Sequence, residues 1–327
     1  MKTLSLITLF AFSSWAAPAA WCAAQPGKDY RIGYLALAPI ADTPSPERAA
    51  FLRAMERLGY VPGKNLVIVY GSAESNVEML PEAAADLVDR KPSLIVAVGV
   101  PTALAAKQAT RTIPIVMFGA DAVANGIVAS LAKPGGNVTG VSSIDIKLSP
   151  KRLEILKEAV PRASRVAVFY SRVHPSHVHA LAAIEARARE LGLALESLDV
   201  TRLQDLQAAF TRMSTRPPDA LLVLTDYRTL IYRQLIAEFA ISKHLPTMFG
   251  SRDQVNAGGL MSYGQDRAEL FARVANIADR ILNGADPQTL PVEQPARFEL
   301  VINRRTARAL GFRLSEPLLL RANVLIE

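Results

Sequence analysis

Residues 94–102 of the chain read Leu-Ile-Val-Ala-Val-Gly-Val-Pro-Thr, which indicates a strand followed directly by a helix. The five apolar residues at its start are typical of a parallel strand that is buried on both faces of a sheet. Gly99 ends this strand, and Pro101 stands where the first turn of a helix tolerates proline. No capping side chain stands at Val100, so the first N–H groups of the helix are left free. Turns of this kind lie at the carboxyl edge of a parallel sheet, where open α/β folds bind ligands.

The same pattern occurs a second time in the chain. Residues 92–98 are echoed by residues 218–224, and three flanking stretches repeat in the same order at nearly constant spacing. These flanking pairs are residues 31–35 with 165–169, 57–59 with 190–192, and 113–119 with 245–250. The period is far too long for a solenoid of stacked repeats, so the repetition predicts two similar α/β lobes. Two lobes whose sheet ends face each other form a cleft between them.

From Tyr30 onward, strand and helix patterns alternate with short connections, which is typical of parallel sheets wound by right-handed crossovers. We therefore expect an α/β fold with two similar doubly wound parallel-sheet lobes and a ligand cleft between them. The predicted division is an N-terminal lobe of residues 28–144 plus 264–285 and a C-terminal lobe of residues 145–263 plus 286–327.

Two local predictions concern the N-terminal lobe. A helix is expected from Pro46 to Leu58, and a short helix over residues 124–132. The cluster Lys-Pro-Gly-Gly-Asn at residues 133–137 closes the short helix. No Gly-Lys-Ser or Gly-Lys-Thr follows this cluster, so we interpret it as a tight turn and not as a phosphate-binding loop.

The first 24 residues have the pattern of a secretory signal peptide. Lys2 precedes an apolar core at residues 4–12 that is too short to span a bilayer, and small residues follow. Cleavage is expected at Ala17-Pro18-Ala19 or at Cys22-Ala23-Ala24, which predicts a periplasmic protein. Lipid anchoring at Cys22 is disfavoured, because bacterial lipoproteins place a small residue before that cysteine and Trp21 is bulky.

Composition and motifs exclude several classes of function. Cleavage after Ala24 leaves a chain without cysteine, which removes disulfides, thiolate catalysis and cysteine-based metal sites. The formal charge of +7 comes from dispersed lysines and arginines, so nucleic acid is not an expected partner. The sequence has neither a Gly-x-Gly-x-x-Gly turn nor a Gly-x-Ser-x-Gly elbow. We therefore expect no enzyme, no catalytic residue and no cofactor.

One histidine cluster has the composition of a metal site. His174, His177 and His179 lie within six residues, and neutral imidazoles suit zinc, nickel or copper. No acidic residue or cysteine lies nearby in the sequence, and His177 and His179 point to different sides of a helix. We interpret the cluster as a solvated loop and predict no metal site.

The carboxyl ends of the predicted strands indicate which residues face the cleft. The nine ligand-binding candidates are Gly99, Thr102, Asp121, Tyr170, Ser171, Asp226, Tyr227, Ser251 and Tyr263. Two of them have a structural alternative, since Thr102 is also a first-turn helix residue and Asp226 also a helix cap. Tyr227 and Tyr263 are either lobe-interface residues or rings that stack on the ligand.

Six stretches carry motifs of a known family. They are residues 58–66, 105–110, 113–116, 130–141, 151–158 and 301–303, and the most specific is Ser-Leu-Ala-Lys-Pro-Gly-Gly-Asn-Val-Thr-Gly-Val at residues 130–141. The chain resembles the ABC-transporter substrate-binding proteins, a family that includes tryptophan- and other aromatic-amino-acid-binding members. The resemblance implies a type I periplasmic-binding fold with two lobes, three crossing segments and a ligand clamped by hinge closure.

The resemblance also implies a function. We expect an exported solute receptor that delivers a small metabolite, such as an amino acid or a related compound, to an ABC permease in the inner membrane. It should act as a monomer and close about a hinge near Ser142, Tyr263 and Ala285. One alternative is a periplasmic sensory protein that serves a membrane receptor. A second is a repressor effector domain, which requires a DNA-binding headpiece where this chain has its predicted signal.

The strand ends further predict how an amino acid is held. Its carboxylate is expected at the helix start, residues 101–103, with the Thr102 hydroxyl as a donor. Its ammonium is expected on Asp226 of the other lobe, with Asp121 as the alternative. The predicted platform for its side chain is Tyr170, Tyr227 or Tyr263.

Overall fold

The computed structural model describes residues 29–294 and 297–327, except for the side chain of Pro175. The predicted signal peptide and Cys22 lie outside the described residues. Within the described ranges, no helix is long and apolar enough to cross a membrane.

The first lobe is built on a five-stranded parallel sheet in the order β2-β1-β3-β4-β5. Its elements in chain order are β1 (Tyr30–Ala36), α1 (Pro46–Arg57), β2 (Leu66–Ser72), α2 (Leu80–Asp89), β3 (Leu94–Val98), α3 (Val100–Ala109), β4 (Ile115–Ala120) and β5 (Val138–Ser143).

The second lobe is built on a seven-stranded sheet in the order β12-β11-β10-β9-β8-β6-β7. The remaining elements are α4 (Ser149–Ala159), β6 (Arg165–Tyr170), α5 (Pro175–Glu190), β7 (Ala194–Asp199), α6 (Leu203–Thr215), β8 (Ala220–Val223), α7 (Tyr227–Ile231), α8 (Arg233–Ser242), β9 (Thr247–Phe249), α9 (Arg252–Asn256), β10 (Met261–Gly264), α10 (Arg267–Leu282), β11 (Glu299–Asn303), α11 (Arg304–Ala309), α12 (Glu316–Leu320) and β12 (Val324–Ile326). Of these, α10 packs back against α1 and belongs to the first lobe.

The predicted repeat is confirmed by the sheet topology. The order β2-β1-β3-β4-β5 in the first sheet has the same pattern as β7-β6-β8-β9-β10 in the second. Strand β3, at residues 94–98, therefore corresponds to β8 in the second lobe. The second sheet adds β11, which pairs antiparallel with β10 over Met261–Gly264 and is followed by the parallel edge strand β12.

Local sequence explains where the first helix begins. The Ser45 hydroxyl accepts a hydrogen bond from the Arg48 N–H at 3.3 Å, and Pro46 occupies the first helical position. The helix ends at Arg57, close to the predicted end at Leu58. One face of it, with Phe51 and Met55 fully buried, packs on the sheet and on α10.

Two stretches differ from the sequence-based prediction. Residues 124–132 form turns and no helix, because the Asn125 side chain donates to two preceding carbonyls and Gly126 has a left-handed φ of 66°. Residues 286–294, assigned from the sequence to the second lobe, pack on the first, where Leu290 is buried in the core.

In the described part of the chain, three segments connect the lobes: one after β5, one between β10 and α10, and one that begins at Glu293 in the first lobe and leads to β11 in the second. These three segments lie side by side. The Ser143 hydroxyl donates to the Gln265 side-chain carbonyl at 2.8 Å, which joins the first and second segments. The Ser142 N–H donates to the Glu293 carbonyl at 2.8 Å, which joins the first and third.

A buried arginine connects two of these segments to the second lobe. Arg152 of α4 is fully buried, its Nε donates to the Tyr263 carbonyl at 2.6 Å, and its Nη2 pairs with the Asp145 carboxylate. Asp145 follows the first segment, and Tyr263 precedes the second. Gly250 makes room for the guanidinium, since a Cβ built there would lie 2.8 Å from Nη2.

Replacing Arg152 with methionine is expected to lower the free energy of unfolding by about 3–5 kcal/mol, because the Asp145 carboxylate loses the charge that compensates it. Urea unfolding measures this loss as a lower midpoint. The matched control is Lys151→Met, which removes an exposed pair with Glu154 worth less than about 1 kcal/mol. Equal midpoints for the two variants would contradict the role given to Arg152.

Candidate ligand site between the lobes

A cavity of about 450 Å³ lies between the two lobes, within the size range of small-molecule sites. The first lobe contributes the end of β1, the loop of residues 37–45 that follows it, the start of α1 and Val98. The second lobe contributes residues of α7, α8 and α9, and Arg267 comes from the start of α10. Both sheets thus meet the cavity at their carboxyl edges, as open α/β folds do at their binding sites.

Most of the cavity wall is apolar. The loop of residues 37–45 supplies leucine, alanine, proline and isoleucine side chains, and Leu230 and Ile231 face them from α7. Two aromatic rings, Tyr34 and Tyr227, stand in the wall on opposite lobes. The Tyr227 hydroxyl donates to the Ser75 carbonyl of the first lobe at 3.3 Å, so this residue also bridges the cleft. Such a wall suits a ligand with an apolar or aromatic body.

Five charged residues also line the cavity, and most of them compensate one another. The Nε of Arg267 donates to Glu47 at 2.8 Å. Burial opposes the ionised form of Glu47, but Arg267 outweighs it and holds the pKa of Glu47 below its usual value. Burial raises the pKa of Asp253, with the Glu47 charge adding to the rise, whereas Arg267 and Arg233 favour its ionised form. The fifth residue, Arg48, forms no ion pair with any carboxylate of the described residues.

Of the nine predicted candidates, Tyr227 alone belongs to the wall of this cavity. Tyr227 lines it, and Asp226 immediately precedes Tyr227 at the end of β8. Asp226 caps α7, since its Oδ1 accepts the Thr229 N–H at 2.8 Å, which is the alternative role foreseen from the sequence. Its Oδ2 is buried with no hydrogen-bond partner among the described residues. Burial raises the pKa of Asp226, although the Thr229 N–H and the nearby His174 favour the ionised carboxylate.

The ligand carboxylate was predicted to bind at the start of α3, but few hydrogen-bond donors are free there. Gly99 is the N-cap of α3, with a φ of 107°. The Thr102 hydroxyl is fully buried and donates to the Gly99 carbonyl at 2.7 Å. The Ala103 N–H bonds the same carbonyl at 3.0 Å, and Pro101 has no N–H. Of the three predicted residues, 101–103, this leaves the N–H group of Thr102.

The other predicted residues have partners outside the cavity. Asp121 forms an ion pair of 3.2 Å with Lys147, which joins the end of β4 to the segment after the first crossing. Ser171 is fully buried and bonds Thr201, and Ser251 caps α9. Tyr170 and Tyr263 pack on the core of the second lobe, where the Tyr263 ring lies 6.0 Å from Phe298.

The prediction that the histidine cluster is a solvated loop is wrong, because His177 is buried in α5 and forms internal contacts. The predicted divergence of His177 and His179 is confirmed, since His177 is fully buried and His179 is exposed. The Nδ1 of His177 accepts the Ser171 N–H at 3.0 Å, and its ring stacks on His174 at 4.3 Å. Burial, with the neighbouring His174 adding to it, lowers the pKa of His177 to about 3. In the described part of the chain, no three metal-ligating side chains form a group that could hold an ion.

Sequence reasoning missed the loop after β1 and the four residues Glu47, Arg48, Arg233 and Asp253. The sequence signal for this loop was available, because open α/β folds bind ligands at the carboxyl ends of their strands. The predicted candidates follow β3, β4, β6, β8 and β9, and none follows β1. The loop has no periodic pattern, and its two prolines, Pro39 and Pro44, are the local sequence feature that indicates a rigid wall.

Two similar proteins are described by the amino acid that they bind. The chain is 28% identical to the tyrosine-binding protein of Clostridioides difficile strain R20291 over 279 residues, which cover 84% of this chain and 80% of that protein. A Streptococcus pneumoniae ABC domain in complex with L-Trp is 25% identical, with a TM-score of 0.82 over 91% of this chain and 100% of that one.

A third relative was solved in a different state. It is the ligand-free, open form of a Clostridium difficile substrate-binding protein with adhesive properties. It is 26% identical and covers 91% of this chain and 99% of that one, with a TM-score of 0.64. This TM-score is lower than the 0.82 of the L-Trp complex. The family described as ABC transporter substrate binding protein matches residues 41–326, and the chain belongs to that family, with the type I periplasmic-binding fold.

Proposed function

We propose that this protein is the periplasmic receptor of an ABC uptake system, a non-enzymatic protein that binds an amino acid with an apolar or aromatic side chain and delivers it to a permease. The observation that carries the proposal is the cavity of about 450 Å³ with walls from both lobes and an aromatic ring on each side. The tyrosine- and L-Trp-binding relatives indicate the ligand class.

Hinge closure is the second part of the proposal. The chain crosses between the lobes only through three adjacent segments in its described part, so rotation about them disturbs neither core. The higher TM-score with the L-Trp complex than with the open, ligand-free relative supports two states of this kind. The Tyr227–Ser75 hydrogen bond and the Asp121–Lys147 ion pair are contacts that closure would form.

The mature protein is expected to melt at a higher temperature with saturating L-tyrosine or L-tryptophan, because a ligand that binds only the folded state stabilises it by mass action. A thermal-shift screen against amino acids, purines, short carboxylic acids and sugars tests the ligand class. A shift of about 2.7 kcal/mol in stability corresponds to a ligand at 100 times its Kd. If none of these compounds changes the melting temperature, the receptor proposal loses its support.

Asp226 is proposed to bind the ammonium of the ligand through its unpartnered Oδ2. Asp226→Asn keeps a side-chain oxygen for the α7 cap, because asparagine is as good an N-cap as aspartate. Calorimetry should show a loss of affinity of about 30-fold or more, the usual consequence of removing one partner of a desolvated charged contact.

The matched control for this variant is Asp219→Asn. Asp219 lies at the amino end of β8, where it accepts hydrogen bonds from Ser164 and Arg165 away from the cleft. It should keep the affinity of the wild type. A cooperatively folded Asp226→Asn protein that binds within threefold of wild type would leave Asp226 as a helix cap alone.

A further inference from the structure

Arg48 is a buried positive charge without a counter-ion. Its side chain lies at the start of α1, lines the cavity and is 6% exposed. No carboxylate of the described residues lies within ion-pair distance of its guanidinium. Its Nε is buried without a hydrogen-bond partner in the described ranges. Burying a charge is unfavourable unless an opposite charge and hydrogen bonds compensate it, so this arrangement is incomplete by itself.

The other charged residues of the cavity do not neutralise Arg48. Glu47 is engaged by Arg267, and Asp253 is influenced by Arg267 and Arg233. Arg233 also forms no ion pair among the described residues, but it is only half-buried and donates to the Leu230 carbonyl at 2.6 Å. Arg48 is therefore the buried cation of the wall that has neither a counter-ion nor a partner for its Nε in the described ranges.

Two contacts hold the Arg48 guanidinium in place without neutralising it. Its Nη2 donates to the Ala41 carbonyl in the loop that forms the apolar wall, and its Cζ lies 5.3 Å from the centre of the Tyr70 ring. The Tyr70 ring is in turn in edge contact with Tyr34, which lines the cavity. A guanidinium positioned this way retains free donors of fixed direction, the geometry that suits a planar carboxylate.

We propose that Arg48 binds the carboxylate of the ligand, so that the anion is recognised at the start of α1 and not at the start of α3. The inference rests on the proposed function and narrows it: the ligand is a carboxylate with an apolar or aromatic body. Arg48 belongs to the first lobe and Asp226 to the second. An amino acid therefore supplies the two charges that these residues lack, and its binding joins the lobes.

The test compares acids with their amides. L-tyrosine and L-tryptophan are titrated by calorimetry against L-tyrosinamide and L-tryptophanamide at about pH 6, where all four carry the ammonium. Wild type is expected to bind the acids about 30-fold or more tightly than the amides. In Arg48→Leu this preference should fall to within about threefold, because only the contact to the carboxylate has been removed.

Two further variants make the comparison specific. Arg53→Leu removes an exposed arginine from the same helix and should keep the wild-type preference. Arg48→Lys keeps a charge but cannot form a bidentate contact, so it should have an intermediate preference. If Arg48→Leu does not melt cooperatively, the ratio measured for Arg48→Lys decides the question, and an unchanged ratio there contradicts the proposal.

The outcomes separate this inference from the proposed function. If wild type binds an amino acid and Arg48→Leu keeps the full preference for the acid, the carboxylate lies elsewhere and the inference is overturned. A loss of affinity in Arg48→Leu that is equal for acid and amide also overturns it, since Arg48 then only positions the loop at Ala41. If wild type binds none of the four compounds and nothing in the thermal-shift screen, the proposed function itself fails.

Discussion

The contact of the Arg152 guanidinium with Asp145 and the Tyr263 carbonyl is the interaction on which the arrangement of the lobes depends. It fixes two of the three crossing segments against the second lobe, at the level where both sheets end. Because the guanidinium is fully buried, its position allows little adjustment, and Gly250 is small for the same reason. The carboxyl edges of the two sheets therefore face each other across a cavity of defined size.

Two buried charged groups, Arg48 in the cavity wall and Asp226 next to Tyr227 in the chain, provide a physical reason for the proposed closure. Among the described residues, one lobe presents a buried arginine without a counter-ion, and the other presents a carboxylate oxygen without a hydrogen-bond partner. In an open cleft, water satisfies both groups, whereas in a closed cleft without ligand both are desolvated and unpaired. In the proposed function, a zwitterionic ligand would pair with both groups and thereby make the closed state favourable. Closure is then a shift between two states that the ligand stabilises by different amounts.

The fold could be predicted from the sequence because its signals are local and repeated. The apolar run at β3 and its echo at β8 gave two lobes, and the structure shows the same strand order in both sheets. Residues 124–132 were predicted wrongly, because helix propensity there competes with the Asn125 side chain and the left-handed Gly126.

The site residues were harder to predict from the sequence, because burial and hydrogen-bond partners determine which side chains are free to bind a ligand. Thr102 was expected to donate to a ligand, yet the Gly99 carbonyl one turn away engages its hydroxyl. Arg48 looks like an ordinary surface position of an amphipathic helix, and it becomes buried only because the loop of residues 37–45 folds over the start of α1. Asp226 was identified correctly as a strand-end carboxylate and cap, but its unpartnered oxygen is visible only in three dimensions.

The central claim is that one ligand is held by both lobes, and small-angle X-ray scattering of the mature protein tests it most directly. The radius of gyration should decrease when the amino acid that raises the melting temperature is added to saturation, because the lobes rotate together around it. It should not decrease with an amino acid that leaves the melting temperature unchanged. An unchanged radius of gyration at saturation with the bound ligand would contradict the account.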